Sequence, residues 1–218
     1  MRILTPEFLE AKFFMKGEPL NGIDDLPRVS PHQVHGSEIV RVNDDNFAGL
    51  CLPERPSADG VLLTTSKASA SLRFADCAPV MLWGRNWVMI LHSGYKGTVL
   101  NISGKGLKLV NGETLGAWVG PCIGREHYCR DIDDEWTQKG LHSFRPENME
   151  ERGGKIFFDL AGEIRSQLID GGMKDADITL SGIDTFTDER CCSYRRGNIN
   201  DRMTLCVKLI DNATNTRL

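Results

Sequence analysis

The sequence predicts an α+β fold, or a mixed-sheet α/β one, in which layered β-sheets are flanked by helices. Three observations lead there. Short strand-like runs outnumber helical ones, some of them follow one another closely enough to form a meander, and one well-capped helix lies between strands in the second half.

The meander comes first, as the runs ASLRF, PVMLW and WVMIL between Ala70 and Leu91, with Gly84-Arg85-Asn86 as the turn between the last two and His92 at the end. The stretch GTVLNISGKGLKLVNG then places Leu100, Leu107 and Val110 at helix-like spacing, against two internal glycines. GAWVGPCIG reads as a buried strand running into a Gly/Pro turn. In DLAGEIRSQLIDGG, Asp159 caps a helix whose Leu160, Ile164 and Leu168 recur every four residues, and Gly171-Gly172 ends it. ADITLSGID and RMTLCVKLI supply the last strands.

No internal repeat, low-complexity tract or Gly/Ser/Pro linker divides the 218 residues, so a single domain over 1–218 is expected. A formal charge of −4 and the lack of any basic run argue against nucleic-acid binding. The N-terminal MRILTPEFLEAKFFMKGEPL lacks the unbroken apolar core of a signal peptide, and no window reaches the roughly 18 apolar residues of a membrane span. A soluble, cytoplasmic protein is the expectation. Its seven cysteines, an odd number without a Cys-x-x-Cys pair, read as reduced thiols.

Three candidate ligands lie at loops or strand ends, outside the periodic apolar faces: His35 in SPHQVHGSEIV, Cys77 in FADCAPV and His92 in LHSGYKG. Two imidazoles and a thiolate suit Zn²⁺, and three protein ligands leave the fourth position to water, the mark of a catalytic zinc. Such a water ionises near pH 7. The spacing alone leaves a plainer reading open, with Cys77 a core thiol, His92 a buried imidazole and His35 a loop residue. His32, His127 and His142 keep that plainer reading.

The blocks PHQVHGSEIV, ADGVLLTT, ADCAPVMLW, LHSGYKGT, GPCIG and CCSYRRGN, in this order across most of the chain, resemble the YfiH-like family, also called multicopper polyphenol oxidase (laccase) or peptidoglycan editing factor. The resemblance implies αββα layers, a metal triad of His35, Cys77 and His92, and zinc-dependent purine nucleoside chemistry. That chemistry is phosphorolysis of adenosine, inosine and methylthioadenosine, together with deamination of adenosine. Zinc is the metal expected, with copper the alternative. Five histidines are too few for the several copper centres of a laccase.

The chain departs from the family pattern at His92-Ser93-Gly94-Tyr95-Lys96-Gly97, where the usual run is His-Ala-Gly-Trp-Arg-Gly. Tyr95 still offers a ring to a pocket, and Lys96 still meets phosphate as a point charge without arginine's fork. Tyr128-Cys129 replaces a usual Tyr-Glu-Val, and Thr185-Phe186-Thr187 stands where many members carry Cys-Thr. Arg195 and Arg196 read either as anion or ribose contacts or as a solvated turn with structural ion pairs. Asp76 reads either as a carboxylate that orients a histidine or handles a proton, or as a loop cap. Three rivals to the nucleoside reading remain: a metal-free cysteine hydrolase using Cys77 with His92 as base, a laccase-like polyphenol oxidase, and a non-enzymatic cell-wall editing factor. The partners expected are nucleoside and phosphate, without nucleic acid or membrane.

Overall fold

The computed structural model describes residues 1, 3–21, 26–51, 55–110 and 113–211. The chain runs through β1 (Leu9–Phe14), β2 (Arg28–Val29), β3 (Ile39–Val42), the one-turn helix α1 (Phe47–Leu50) and β4 (Gly60–Leu63). β5 (Ser69–Phe74), β6 (Ala78–Gly84) and β7 (Trp87–Ser93) lead into the helices α2 (Tyr95–Val99) and α3 (Ile102–Leu109), and then β8 (Gly116–Val119). β9 (Cys129–Asp131), α4 (Glu135–Ser143), β10 (Met149–Arg152) and β11 (Lys155–Phe158) precede α5 (Leu160–Asp170), β12 (Ile178–Leu180) and β13 (Met203–Leu209).

These strands form three sheets, in the orders β1-β13-β5-β2, β12-β8-β6-β7-β4-β3 and β10-β11-β9. The first two are mixed, because β2 joins β5, β3 joins β4 and β12 joins β8 in parallel while the remaining pairs are antiparallel. The fold is therefore mixed α+β, as the sequence predicts. The four- and six-stranded sheets pack face to face through β5, β7 and β13, and α3 and α5 cover the other face of the six-stranded sheet.

Strand alternation shows how the layers are held. In β7, Val88 and Ile90 join the core between the two sheets, while Trp87, Met89 and Leu91 join the core beneath the helices. A central strand covered on both faces has to be apolar throughout, which accounts for WVMIL. Each of these buried side chains contributes about 1.5–3 kcal/mol. In α5, Asp159 accepts the N–H of Gly162 as its cap, and Leu160, Ile164 and Leu168 are all buried.

Two expectations are corrected. The run ASLRF is not part of a meander with the next two strands: β5 pairs with β13 and β2, and only β6 and β7 form a hairpin. Between them Asp76 takes a left-handed φ of 78°, which breaks the extended chain and sends it from one sheet to the other. The single helix-like run after Gly97 is two helices. Asn101, at φ 54°, interrupts it and caps α3 by accepting the N–H of Gly104. Val110 lies beyond α3 in extended conformation, and Asn111 and Gly112 fall outside the described residues. None of the seven cysteines is in a disulfide. Among the described residues no helix is long and apolar enough to cross a membrane.

Candidate metal centre

Three separate segments deliver the candidate ligands. His92 shares the parity of Val88 and Ile90, so its side chain leaves β7 on the side of the four-stranded sheet, and its ring lies 5.6 Å from that of Phe74. Cys77 stands at the corner between β5 and β6. Asp76 fixes that corner: its carboxylate accepts the Thr185 hydroxyl and the Arg195 backbone N–H, each at 2.7 Å. His35 is carried by a loop and adopts a φ of 58°. A left-handed non-glycine residue costs on the order of 1–2 kcal/mol, and two of them flank this one site. Gly94, which opens α2, completes the cradle, since a Cβ there would come within 2.6 Å of the Cys77 sulfur.

A carboxylate that sequence reasoning missed ties two of the ligands together. Asp59 is fully buried, and its two oxygens accept the backbone N–H groups of Val34, His35 and Gly36 at 3.2, 3.0 and 2.7 Å. The same carboxylate lies 2.8 Å from Nδ1 of His92. It thus sets the loop that presents His35 and holds the Nδ1 edge of His92, leaving Nε2 for the cavity. The signal was the Asp in ADGVLLTT, directly before β4, where a charge has no place in a buried strand without partners. Asp76, by contrast, orients neither imidazole; both of its oxygens serve the corner.

The donor atoms of His35, Cys77 and His92 all lie within 4.8 Å of one another, and the two imidazole rings are 4.9 Å apart, edge to face. Ligand atoms around a tetrahedral zinc stand about 3.3–3.8 Å apart, so small side-chain rotations bring this group onto one ion. Burial alone would raise the Cys77 pKa, but the charge of His92 and hydrogen bonds from His35 and His92 outweigh it and hold the thiol at about 6. Burial likewise works against the His92 cation, yet Cys77 and Asp59 hold its pKa up at about 9. Asp59 stays below its usual value because the bonds from His92 and the loop amides overcome its burial. Without metal, Cys77 and His92 therefore favour a thiolate–imidazolium pair, because each holds the other in its charged form. Alkylation of metal-free protein at Cys77 is expected to lose rate as pH falls through about 6, well below the ordinary thiol value of 9.0. A rate profile centred near that ordinary value would contradict the pairing.

The triad opens into a cavity of about 720 Å³. Tyr95 forms part of its wall, with its hydroxyl donating to the Trp136 carbonyl and the Arg130 guanidinium 4.6 Å from its ring. Lys96 is exposed on the lining, 4.8 Å from the Trp136 ring, and Arg195 sits 5.4 Å from the ring of Tyr128. Arg130, which drew no notice in the sequence, and Tyr128, which stood out there only as a departure from the family pattern, line the cavity too. Arg196 does not line the cavity; it is structural, but half-buried and through bonds to the carbonyls of Thr185, Phe186, Asp188 and Cys191, in place of the solvated turn with ion pairs that was the alternative. Of the other histidines, His127 is held by Asp184 at 2.6 Å and stacks on Phe186, while His32 lies on the cavity wall.

Residues 20–209 match the family model described as multi-copper polyphenol oxidoreductase laccase. The chain belongs to that family. It is 28% identical to a purine nucleoside phosphorylase of Aquifex aeolicus, over 83% of this chain and 82% of that one. It is also 28% identical to one of Xylella fastidiosa, over 81% and 71%. The crystal structure of the hypothetical protein YfiH of Bacillus licheniformis superposes with a TM-score of 0.76 at 25% identity, covering 84% of this chain and 74% of that one. YlmD of Geobacillus stearothermophilus gives 0.75 at 24%, covering 85% and 74%, and so shows the same fold. The family description names copper; among the described residues the two imidazoles and one thiolate are the one His/Cys/carboxylate group whose donor atoms could hold an ion. Of the remaining three histidines, His127 is already bound to a carboxylate.

Proposed function

We propose that the chain is a zinc-dependent purine nucleoside phosphorylase that also deaminates adenosine. The observation that carries the reading is the opening of the imidazole–thiolate–imidazole group into a cavity walled by tyrosine rings and cations, in a chain whose relatives are named purine nucleoside phosphorylases. His35, Cys77 and His92 would hold the ion, which when bound supplies Lewis acidity and lowers the pKa of water to about 7. Tyr95 and Tyr128 present ring surface to a purine. Lys96, as a point charge, and Arg195, as a fork, hold orthophosphate for attack at C1′ of the ribose while the bond from C1′ to the purine nitrogen breaks. Asp76 places Arg195 by accepting its backbone N–H, and Asp59 keeps His92 in one orientation.

One observation favours the cysteine hydrolase as a second reading: Asp59, His92 and Cys77 line up as the orienting acid, base and nucleophile of such an enzyme. His35 weighs against it, because a second imidazole at the thiolate serves a metal and has no task in that mechanism. Incubating the protein with adenosine and phosphate and identifying the products tests the proposal. Adenine with ribose 1-phosphate marks phosphorolysis, and inosine with ammonia marks deamination. Neither pair appearing with zinc-loaded protein would refute it.

A further inference from the structure

The cavity carries more positive charge than one orthophosphate requires. Lys96, Arg130, Arg195, Arg55, Arg73 and Arg202 all line it, and Asp76 is the one carboxylate among the described lining residues, in a chain whose net charge is −4. The cations fall into two groups. Lys96, Arg130 and Arg195 belong to the wall of α2, β9 and the loop that Asp76 holds, and Arg130 is already paired with Asp134 at 2.5 Å.

Arg73, Arg55 and Arg202 form the second group, on segments gathered around β5. Gln33 clasps β5 at Arg73, accepting its N–H and donating to its carbonyl at 2.8 Å each, which draws the loop of His32 and His35 to that strand. His32 bridges Ser57, two residues beyond Arg55, and Met203, beside Arg202, pairs with Phe74. Among the described residues Arg55 and Arg73 make no ion pair, and Arg202 spends one guanidinium nitrogen on the carbonyls of Asn198, Ile199 and Asp201. Gathering these like charges is unfavourable unless an anion joins them. A phosphate group brings about −1.5 to −2 of charge, and the orthophosphate held by the first wall leaves the second unanswered.

We infer that the Arg73 wall binds a phosphate carried by the substrate itself, so that the cavity takes nucleoside 5′-phosphates. The inference deepens the phosphorylase reading and rests on it for the reaction. There, adenosine monophosphate and hydrogen phosphate yield adenine and ribose 1,5-bisphosphate. The bond from C1′ to N9 breaks, a bond from C1′ to a phosphate oxygen forms, and the proton of hydrogen phosphate ends on the purine.

Equilibrium binding to zinc-loaded protein, measured without added phosphate, tests the site. Adenosine monophosphate is expected to bind at least about tenfold more tightly than adenosine. Arg73→Ala, at an exposed position, should remove most of that difference while changing adenosine affinity less than about twofold, and Arg73→Lys should fall between. Equal affinities for the two ligands would overturn the inference. So would an Arg73→Ala variant that weakens inorganic phosphate and spares the monophosphate, because the wall would then serve the co-substrate. Turnover is a separate readout. Arg73-dependent binding of the monophosphate without cleavage of any nucleoside would refute the phosphorylase reading and leave the 5′-phosphate site standing.

Discussion

Cys77→Ala protein is expected to copurify with less than about a tenth of the wild-type zinc and to lose at least about a thousandfold in nucleoside turnover. The thiolate is the only sulfur in the ligand group, and removing it leaves two imidazoles that hold a borderline-soft ion far more weakly. Folding should survive, because the side chain is small and half-buried at a corner whose geometry Asp76, not Cys77, maintains. Metal content by mass spectrometry and adenine release by chromatography are to be measured on the same sample. A variant that is inactive yet keeps full zinc would mean that Cys77 acts as a nucleophile and is not a ligand.

Asp59→Asn is expected to destabilise the metal-free protein by about 3–5 kcal/mol and to weaken zinc binding about 10–100-fold. Each carboxylate oxygen already accepts two donors, Oδ1 from His35 and His92 and Oδ2 from Val34 and Gly36. Asparagine has the same shape, but whichever way its amide turns, the NH₂ group faces two donors in a fully buried place. Thermal unfolding and a zinc competition titration read the two effects. Stability within about 0.5 kcal/mol of wild type, with unchanged zinc affinity, would remove Asp59 from the account.

Residues whose side-chain character is local were legible in the sequence. Asp159 caps α5 and Leu160, Ile164 and Leu168 bury as their spacing indicates, since cap and stripe depend on neighbours within two turns. Pairing between distant strands was not legible. Nothing in ASLRF states that β5 joins β13, some 130 positions later, rather than β6; the turn that parts them is a left-handed Asp76, invisible to a hydrophobic pattern. The polar helix α4, capped by Asp134, escaped notice because only Thr137 and Gly140 bury and no apolar stripe marks it. At the site, ligand residue types were readable, while their supports were not. Asp59 lies 33 positions from His92 and Thr185 lies 109 from Asp76, so both bonds exist only once the sheets have formed. Thr185, one of the departures from the family pattern, still reaches Asp76 through its hydroxyl.

The most direct test is the activity of wild-type protein stripped of metal by a strong chelator and supplied with inosine and phosphate. Hypoxanthine and ribose 1-phosphate are expected to form with the zinc-loaded sample, to cease in the stripped one, and to return when zinc is added back. Stripped protein that still cleaves inosine at the full rate would contradict the account, and would leave Cys77, His92 and Asp59 as the machinery of a metal-free enzyme.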